Sequence, residues 1–272
     1  MGKRQSRPWI ASDELWSLIE PLLPVPAPKL VEGRPRVPDR QALCGILFVL
    51  HTGIQWEYLP QELGFGSGMT CRRRLTAWNE AGVWDQLHVL LLEKLRSKDQ
   101  LDWSRAVIDS SHVRAARPGP KSGPSPVDRA RPGSKHHLIV DGQGIPLAVS
   151  LTGGNHNDVT QLLPLLDKIP PVAGLVGRPR RGPDALLADR GYDHDKYRRL
   201  LRARAIRPVI AKRAEPPCTG LGIFRYVVER TIAWPHGFRR LRIGWERRDD
   251  SHETFLGLAV CLITHRHVQR LC

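Results

Sequence analysis

The sequence has 272 residues and a formal net charge of +15, from 42 Lys and Arg against 27 Asp and Glu. Hydrophobic residues make up 41% and charged residues 25% of the chain, which excludes a wholly disordered protein. The longest apolar run, residues 42–50, is far shorter than the ~20 residues of a transmembrane helix. The basic N-terminus has no apolar stretch behind it, which argues against a secretory signal.

The cysteines indicate a reducing compartment. There are five, an odd number, and none forms a Cys-x-x-Cys pair. This pattern disfavours a disulfide framework and a cysteine zinc site. We therefore expect a cytoplasmic protein with no membrane partner, built as one large domain or two smaller ones.

The positive charge is concentrated in the second part of the chain. Residues 1–100 carry a net charge of +2, whereas residues 101–272 carry +13. Residues 190–248 alone hold 16 basic and 5 acidic side chains. A basic field of this density attracts polyanions, so nucleic acid is the expected partner. Membrane-surface binding is disfavoured because no basic stretch is also a clean amphipathic helix.

The first hundred residues predict a small helical domain. Ser12 is placed to cap a first helix that Pro24 ends, and Asp39 is placed to cap a second. A glycine-rich turn at residues 64–68 precedes a third helix, and a fourth follows Gly82.

Three consecutive arginines lie early in the third predicted helix: Arg72, Arg73 and Arg74. Two helices joined by a glycine turn, with arginines on the second, suit a helix-turn-helix that enters the major groove. A small helical bundle with a solvated arginine face is the alternative. We predict residues 1–100 as a helical DNA-binding domain.

Residues 101–272 predict an α/β domain with a mixed sheet and flanking helices, because strand and helix patterns alternate. Residues 118–134 are rich in Gly and Pro and predict a loop without strand or helix. Residues 141–144, Asp-Gly-Gln-Gly, predict a hairpin turn. The predicted strands are residues 105–108, 137–140, 145–151, 185–188 and 206–211; the predicted helices start near residues 157, 197, 224 and 251.

Three carboxylates in this domain are candidate metal ligands. Asp109 and Asp189 directly follow predicted strands, and Glu229 lies on a predicted helix among arginines. The carboxyl ends of adjacent strands meet in one crevice, and carboxylate oxygens suit Mg²⁺ or Mn²⁺. Each residue also has a simpler explanation: a turn cap for Asp109, an Asx turn for Asp189, and a helix ion pair with Arg225 for Glu229.

Other chemistries have weaker support. The histidines show neither His-Glu-x-x-His nor another recognised zinc spacing, no phosphate-binding Gly-x-x-x-x-Gly-Lys-Ser/Thr loop occurs, and Ser110 and Ser111 lack a nucleophile elbow.

Several stretches together resemble the DDE transposases of bacterial insertion sequences, in the large group numbered four and five, over almost the whole chain. The resemblance implies a ribonuclease-H-like, integrase-like catalytic domain at residues 101–272. The stretches are Gly53–Trp56, Leu59-Pro60, Cys71–Trp78, Ile108–His112, Gly133–His137, Gly153–Asp158, Ala188–Asp193 and Val228–Trp234.

The resemblance implies that Asp109, Asp189 and Glu229 are the catalytic and metal-binding triad, 80 and then 40 residues apart. The family often has Tyr seven residues before the Glu and a basic residue seven after it. Here these positions are Gly222 and His236, and Arg239 or Arg240 are candidates to replace the latter. The predicted DNA contacts are Arg72, Arg73, Arg74, Lys135, His136, Arg190, Arg225, Arg230, Arg239 and Arg240.

The resemblance further implies a function. We expect a transposase that binds terminal inverted repeats, uses two Mg²⁺, with Mn²⁺ as a substitute, and cleaves and transfers DNA strands. It would work as a homodimer on double-stranded DNA, in the bacterial cytoplasm at the nucleoid. The alternatives are a non-catalytic or decayed DNA-binding regulator and a Mg²⁺-dependent endonuclease that performs no strand transfer.

Overall fold

The sheet and its flanking helices confirm the predicted mixed α/β class. The structure is a computed structural model that describes residues 7–26, 35–212, 221–246 and 249–272. The helices are α1 Asp13–Ile19, α2 Asp39–Thr52, α3 Gly68–Glu80, α4 Val83–Ser97, α5 Leu162–Lys168, α6 Asp195–Ala203, α7 Leu221–Gly237 and α8 Asp249–Leu271. The strands are β1 Ala106–Ala115, β2 Gly123–Pro124, β3 Pro132–Asp141, β4 Pro146–Gly153, β5 Ala185–Ala188, β6 Arg207–Ile210 and β7 Ile243–Gly244.

The sheet has an antiparallel half and a parallel half that meet at β1. On one side β1 pairs antiparallel with β3, which pairs antiparallel with β4. On the other side β1 pairs parallel with β5, and β5 pairs parallel with β6. The predicted β3–β4 hairpin is confirmed: buried Asp141 accepts backbone N–H groups from Gln143 (3.0 Å) and Ile145 (2.7 Å) across the turn.

Alternation along the strands gives the sheet two buried faces. Ile108 and Leu186 lie in the core that packs against α5 and α6, on what we call the α5/α6 face. Val107 and Leu187 lie in the core that contains Val228 of α7, on the α7/α8 face. The arrangement explains why strand β5 is apolar at every position, since a strand buried on both faces needs no polar side.

The N-terminal helices share a core with α8. The Trp56 ring stacks on Phe255 at 5.6 Å, and the Cys261 thiol donates to the Trp84 carbonyl at 3.2 Å. Helix α8 in turn packs on the sheet through Val260. The boundary predicted at residue 100 falls just after α4, and the division into two domains stays a prediction.

Local signals predicted several element boundaries correctly and others wrongly. Ser12 caps α1 as predicted, accepting the Leu15 N–H at 3.2 Å. Asp39, predicted as a cap, is instead the first helical residue, since Pro38 occupies the cap position. The prediction that 118–134 contains no strand is wrong, because β2 and the start of β3 pair with one another there.

Among the described residues no helix is long and apolar enough to cross a membrane. The described cysteines, at positions 44, 71, 261 and 272, are free thiols. Cys218 lies outside the described residues.

Candidate active site

The parallel pairing of β1 and β5 places Asp109 beside Asp189. Ala106 pairs with Leu186 and Val107 with Leu187. Continuation of this register by two residues puts Asp109 opposite Asp189, on adjacent strands about 4.8 Å apart. Alternation also puts both on the α7/α8 face, with Val107 and Leu187.

The position of Asp109 within its strand corrects the sequence prediction. Asp109 does not end β1; it lies inside that strand, opposite Leu138 of β3. Strand β1 continues beyond its apolar segment to Ala115, because its antiparallel partner β3 pairs with it there. Asp189 does follow its strand directly, so the two aspartates lie near the point where β5 ends and β1 continues.

Local backbone donors fix one oxygen of each carboxylate. Asp109 Oδ1 accepts the Ser110 N–H at 2.7 Å, and Asp189 Oδ1 accepts the Gly191 N–H at 2.9 Å. The Asp189 bond caps a 3-10 turn at residues 190–192. The Asx turn that offered a simpler explanation for Asp189 is therefore present. The same turn also orients the Asp189 carboxylate at the end of the strand.

Glu229 lies on α7, on the same side of the sheet as the two aspartates. Its neighbour Val228 is buried against the α7/α8 face, whereas Glu229 is exposed. The helix is fixed over the sheet because the Thr231 hydroxyl donates to the Gly144 carbonyl at 2.8 Å. His236 Nε2 also lies 3.1 Å from the Ser111 hydroxyl, two residues from Asp109 on β1.

Two polar residues that the sequence analysis did not single out lie at the same edge. Asp158 accepts from Lys135 Nζ at 2.9 Å and begins a turn that packs against the turn at residues 190–192. Tyr192 is buried, and this burial, followed by the charges of Asp158, Asp109 and Asp189, raises the pKa of its phenol well above 10. Both belong to stretches that carried the family resemblance, Gly153–Asp158 and Ala188–Asp193, and this was the available signal.

The donor set suits a hard divalent cation in its chemistry. Two carboxylates from adjacent strands, with a third on the covering helix, are oxygen ligands of the kind that Mg²⁺ and Mn²⁺ take. In the described parts of the chain, no three His, Cys, Asp or Glu side chains are arranged to hold a metal ion. Asp109 and Asp189 are candidate ligands from adjacent strands, and the metal site, with its third protein ligand, stays a prediction.

The sequence matches known transposases in both halves. Residues 11–88 match the family described as "Putative transposase of IS4/5 family", and residues 103–215 match "Transposase DDE domain". The chain is 58% identical over 166 residues to the "Putative transposase for insertion sequence element IS402" of Burkholderia cepacia. The aligned region spans 61% of this chain and 77% of that protein. The chain belongs to the insertion-sequence transposases of this family.

Two further relatives carry names that state no activity. The "Insertion element IS402 uncharacterized 16.2 kDa protein" of B. cepacia is 58% identical over 119 residues, 43% of this chain and 81% of that protein. The "Uncharacterized protein y4sN" of Sinorhizobium fredii is 32% identical over 103 residues, 38% of this chain and 74% of that protein.

Family membership establishes the reaction class. The chain is a DDE transposase, an enzyme whose substrate is DNA and whose domain type depends on divalent metal ions. The matched DDE segment includes Asp109 and Asp189 and ends before Glu229. The assignment of these three residues as the triad stays a proposal.

The predicted DNA contacts of the transposase fall into two groups. Four arginines are exposed: Arg73, Arg190, Arg230 and Arg239. Arg230 donates to the Gln143 carbonyl at 3.0 Å, and its guanidinium lies over the rings of Tyr226 and Trp234. Arg72 is half-buried, and the side chain of Arg225 lies outside the described residues.

The other predicted contacts are engaged inside the protein. Arg74 pairs with Asp39 at the start of α2, and Arg240 pairs with Glu246. Lys135 and His136 are buried in β3, because that strand lies inside the sheet. In this conformation these four side chains hold the fold together, and a DNA contact by any of them stays a prediction.

His136 forms part of a buried imidazole pair. Its Nε2 lies 2.8 Å from Nε2 of His252 on α8, and the His236 ring lies 6.0 Å from the His136 ring. Burial lowers the pKa of His252 to about 4 and that of His136 well below 6.5, with charge repulsion from His252 adding to the latter. The pair is therefore neutral at pH 7 and joins α8 to the sheet.

The burial of histidines predicts that the folded protein loses stability in acid. Burial also lowers the pKa of His51, His137 and His267 to about 4. In the unfolded chain these histidines have a pKa near 6.5, so between pH 6.5 and pH 4 the unfolded state binds protons that the folded state does not. The free energy of unfolding is therefore full above pH 6.5 and falls as the pH is lowered towards 4. Asp141, whose pKa burial raises to about 7, acts in the opposite direction but is a single group.

We expect urea unfolding to give a free energy of unfolding at least about 2 kcal/mol lower at pH 5 than at pH 7.5. Equal stability at the two pH values would show that these histidines are not held neutral by burial.

Proposed function

We propose that this transposase binds the terminal inverted repeats of its own element and cuts and joins DNA at their ends. The observation that supports the proposal is the β1–β5 register, whose continuation by two residues brings Asp109 beside Asp189 on the face of the sheet that α7, the helix bearing Glu229, covers. In this proposal the three carboxylates hold two Mg²⁺, for which Mn²⁺ can substitute.

The proposed reaction has two steps. In the first, water attacks the phosphorus at an element end, the bond from phosphorus to the 3′-oxygen breaks, and a 3′-hydroxyl and a 5′-phosphate result. In the second, that 3′-hydroxyl attacks a target phosphodiester and displaces a target 3′-hydroxyl, so no external energy source is required. Two bound ions supply activation of the attacking oxygen and stabilisation of the leaving oxygen.

The protein's own groups orient the carboxylates and hold the DNA. The Ser110 and Gly191 N–H groups orient Asp109 and Asp189, and the His236–Ser111 contact keeps α7 close to β1. Of the two candidates for the basic residue after Glu229, Arg239 is exposed and suited to a phosphate, whereas Arg240 is buried. Positive side chains near the carboxylates offset their repulsion of the DNA backbone.

The proposed division of labour assigns end recognition to residues 1–100 and catalysis to residues 101–272. Because two element ends are processed together, the proposed working form is a homodimer on DNA, in the cytoplasm at the nucleoid. Nicking of a labelled duplex that carries the element's inverted repeat, but not of a scrambled duplex, tests the proposal. Binding without Mg²⁺-dependent nicking would instead support the non-catalytic regulator.

The helical region offers a matched pair of variants for DNA binding. Arg73 is exposed on α3, whereas the adjacent Arg74 is 13% exposed and paired with Asp39. We expect Arg73→Ala to weaken binding to inverted-repeat DNA and to reduce the salt dependence of log K by about one unit, with unchanged stability. Arg74→Ala should instead lower the free energy of unfolding by about 1–3 kcal/mol.

Fluorescence anisotropy at several salt concentrations measures the first effect, and urea unfolding measures the second. Unchanged DNA affinity in Arg73→Ala would remove this face of α3 from the proposed DNA interface.

A further inference from the structure

Helix α6 presents a row of basic side chains to solvent. Its inner side carries Tyr197 and Leu201, which pack into the core of the α5/α6 face. Lys196, Arg199 and Arg202 are exposed. Since they recur every third residue, they lie on the side of the helix opposite that core, about 4.5 Å apart along its axis. We call these three residues the α6 row.

In the described part of the chain, the charges of the α6 row have no acidic partner. Lys196 Nζ lies 5.9 Å from the centre of the Tyr197 ring, which is not a counter-ion. The adjacent Arg198 differs, since its side chain is 12% exposed, pairs with Asp193 at 2.6 Å and donates to the Ile210 carbonyl at 2.9 Å. Arg198 therefore holds α6 in place, whereas the α6 row carries charge that the described fold does not neutralise.

The stability of the helix does not account for the α6 row. Asp195 and Lys196 lie in the first turn of α6, where the helix dipole favours the aspartate and disfavours the lysine. Only Arg202, in the last turn, is favoured by the dipole. Like charges three residues apart also repel one another. These costs indicate that the row interacts with an anion outside the fold.

The α6 row starts close to the proposed catalytic edge. Helix α6 begins at Asp195, shortly after the turn that follows Asp189, and exposed Arg190 lies in that turn. Because β5 and β6 are parallel, α6 is the crossover between them and runs back from that edge. The row therefore leads away from the carboxylates on the α5/α6 face, on the other side of the sheet from α7.

We propose that the α6 row is a second DNA-binding surface of the transposase, which holds duplex DNA beside the cleavage edge by its phosphates and independently of sequence. Exposed Lys and Arg side chains bind phosphate oxygens, and such contacts carry no sequence information. The surface is distinct from α3, to which end recognition is assigned. In placing this DNA beside the cleavage edge, the inference rests on the proposed function.

The test uses a full-length variant in which the α6 row is neutralised: Lys196→Gln, Arg199→Gln and Arg202→Gln. Fluorescence anisotropy without metal measures binding to a duplex of random sequence at several salt concentrations. We expect the affinity at low salt to fall by about 10-fold or more, and the slope of log K against log salt to become shallower by about 2 to 3. Urea unfolding should show equal or greater stability, because the repulsion within the row is removed.

A control variant removes the same charge from another exposed surface. Lys94, Lys98 and Arg270 are exposed at the C-terminal ends of α4 and α8. Their replacement by Gln should lower the affinity for random-sequence duplex by about 3-fold or less, through net charge alone. An equal loss in the two variants would overturn the inference, as would unchanged affinity and salt slope in the α6 variant.

The ratio of affinities for inverted-repeat and scrambled duplexes tests the mode of binding. It should be unchanged or higher in the α6 variant, and a fall in this ratio would contradict a sequence-independent contact. If the α6 variant binds random-sequence duplex as the wild type does while Asp109→Asn abolishes nicking, the inference fails and the proposed function stands. If the α6 variant loses affinity while Asp109→Asn still nicks, the proposed catalytic site fails and the second DNA surface stands.

Discussion

Asp109→Asn is expected to abolish Mg²⁺-dependent nicking of inverted-repeat DNA, by about 10³-fold or more, while DNA binding persists. Asn keeps the size of the side chain and one oxygen acceptor for the Ser110 N–H, so β1 should be undisturbed. It removes the negative charge that a divalent cation requires. Asp189→Asn should have the same effect, since continuation of the β1–β5 register by two residues places Asp189 beside Asp109. Single-turnover nicking of a labelled duplex measures the loss.

Asp184→Asn supplies the matched control. Asp184 immediately precedes β5, at the opposite end from Asp189, and its side chain is 67% exposed in an ion pair with Arg180. An exposed pair of this kind contributes little to stability, so nicking should stay close to the wild-type rate. Loss of nicking in Asp184→Asn equal to that in Asp109→Asn would mean that any charge change on these strands is harmful, contrary to a specific catalytic pair.

Arg240→Ala is expected to lower the free energy of unfolding by about 3–5 kcal/mol. The Arg240 and Glu246 side chains are 5% and 10% exposed and paired with one another. Arg240 Nη1 also donates to the Ile54 carbonyl at 2.8 Å, which joins the C-terminal part of the chain to the helical region. Truncation leaves a buried carboxylate without its counter-ion, the situation in which removing one partner costs most. Urea unfolding at pH 7.5 measures the change.

The neighbouring Arg239 tests whether the destabilisation comes from loss of the buried Arg240–Glu246 pair or from loss of a positive charge in general. Arg239 is exposed, and Arg239→Ala should alter stability by no more than about 0.5 kcal/mol. If Arg239→Ala were as destabilising as Arg240→Ala, the buried pair would not be the cause. The same variant should weaken DNA binding if Arg239 is the phosphate contact that follows Glu229.

Features set by neighbouring residues could be predicted from the sequence. The Ser12 cap, the hairpin at residues 141–144 and strand β5 depend on side chains and turn types within a few positions. The candidate aspartates were found because each follows a short apolar segment. Continuation of the β1–β5 register then places them side by side, which agrees with the expectation that adjacent strands bring such residues together.

Features set by distant partners could not be predicted. Strand β1 continues past Asp109 only because β3 supplies hydrogen bonds to polar residues that have no strand pattern of their own. Arg74 and Arg240 were predicted as DNA contacts from the sequence. Arg74 instead pairs with Asp39, 35 residues back, and Arg240, besides its ion pair with Glu246, donates to the Ile54 carbonyl across the molecule.

The most direct test of the proposed function is cleavage and joining on a plasmid that carries the element's own ends. With Mg²⁺, the wild-type protein should produce 3′-hydroxyl termini at the element ends and then products in which those termini are joined to target DNA. Both products should be absent with Asp109→Asn and present with Asp184→Asn. Cleavage that never leads to joined product would indicate an endonuclease, and joined product formed by Asp109→Asn would contradict the assignment of the catalytic carboxylates.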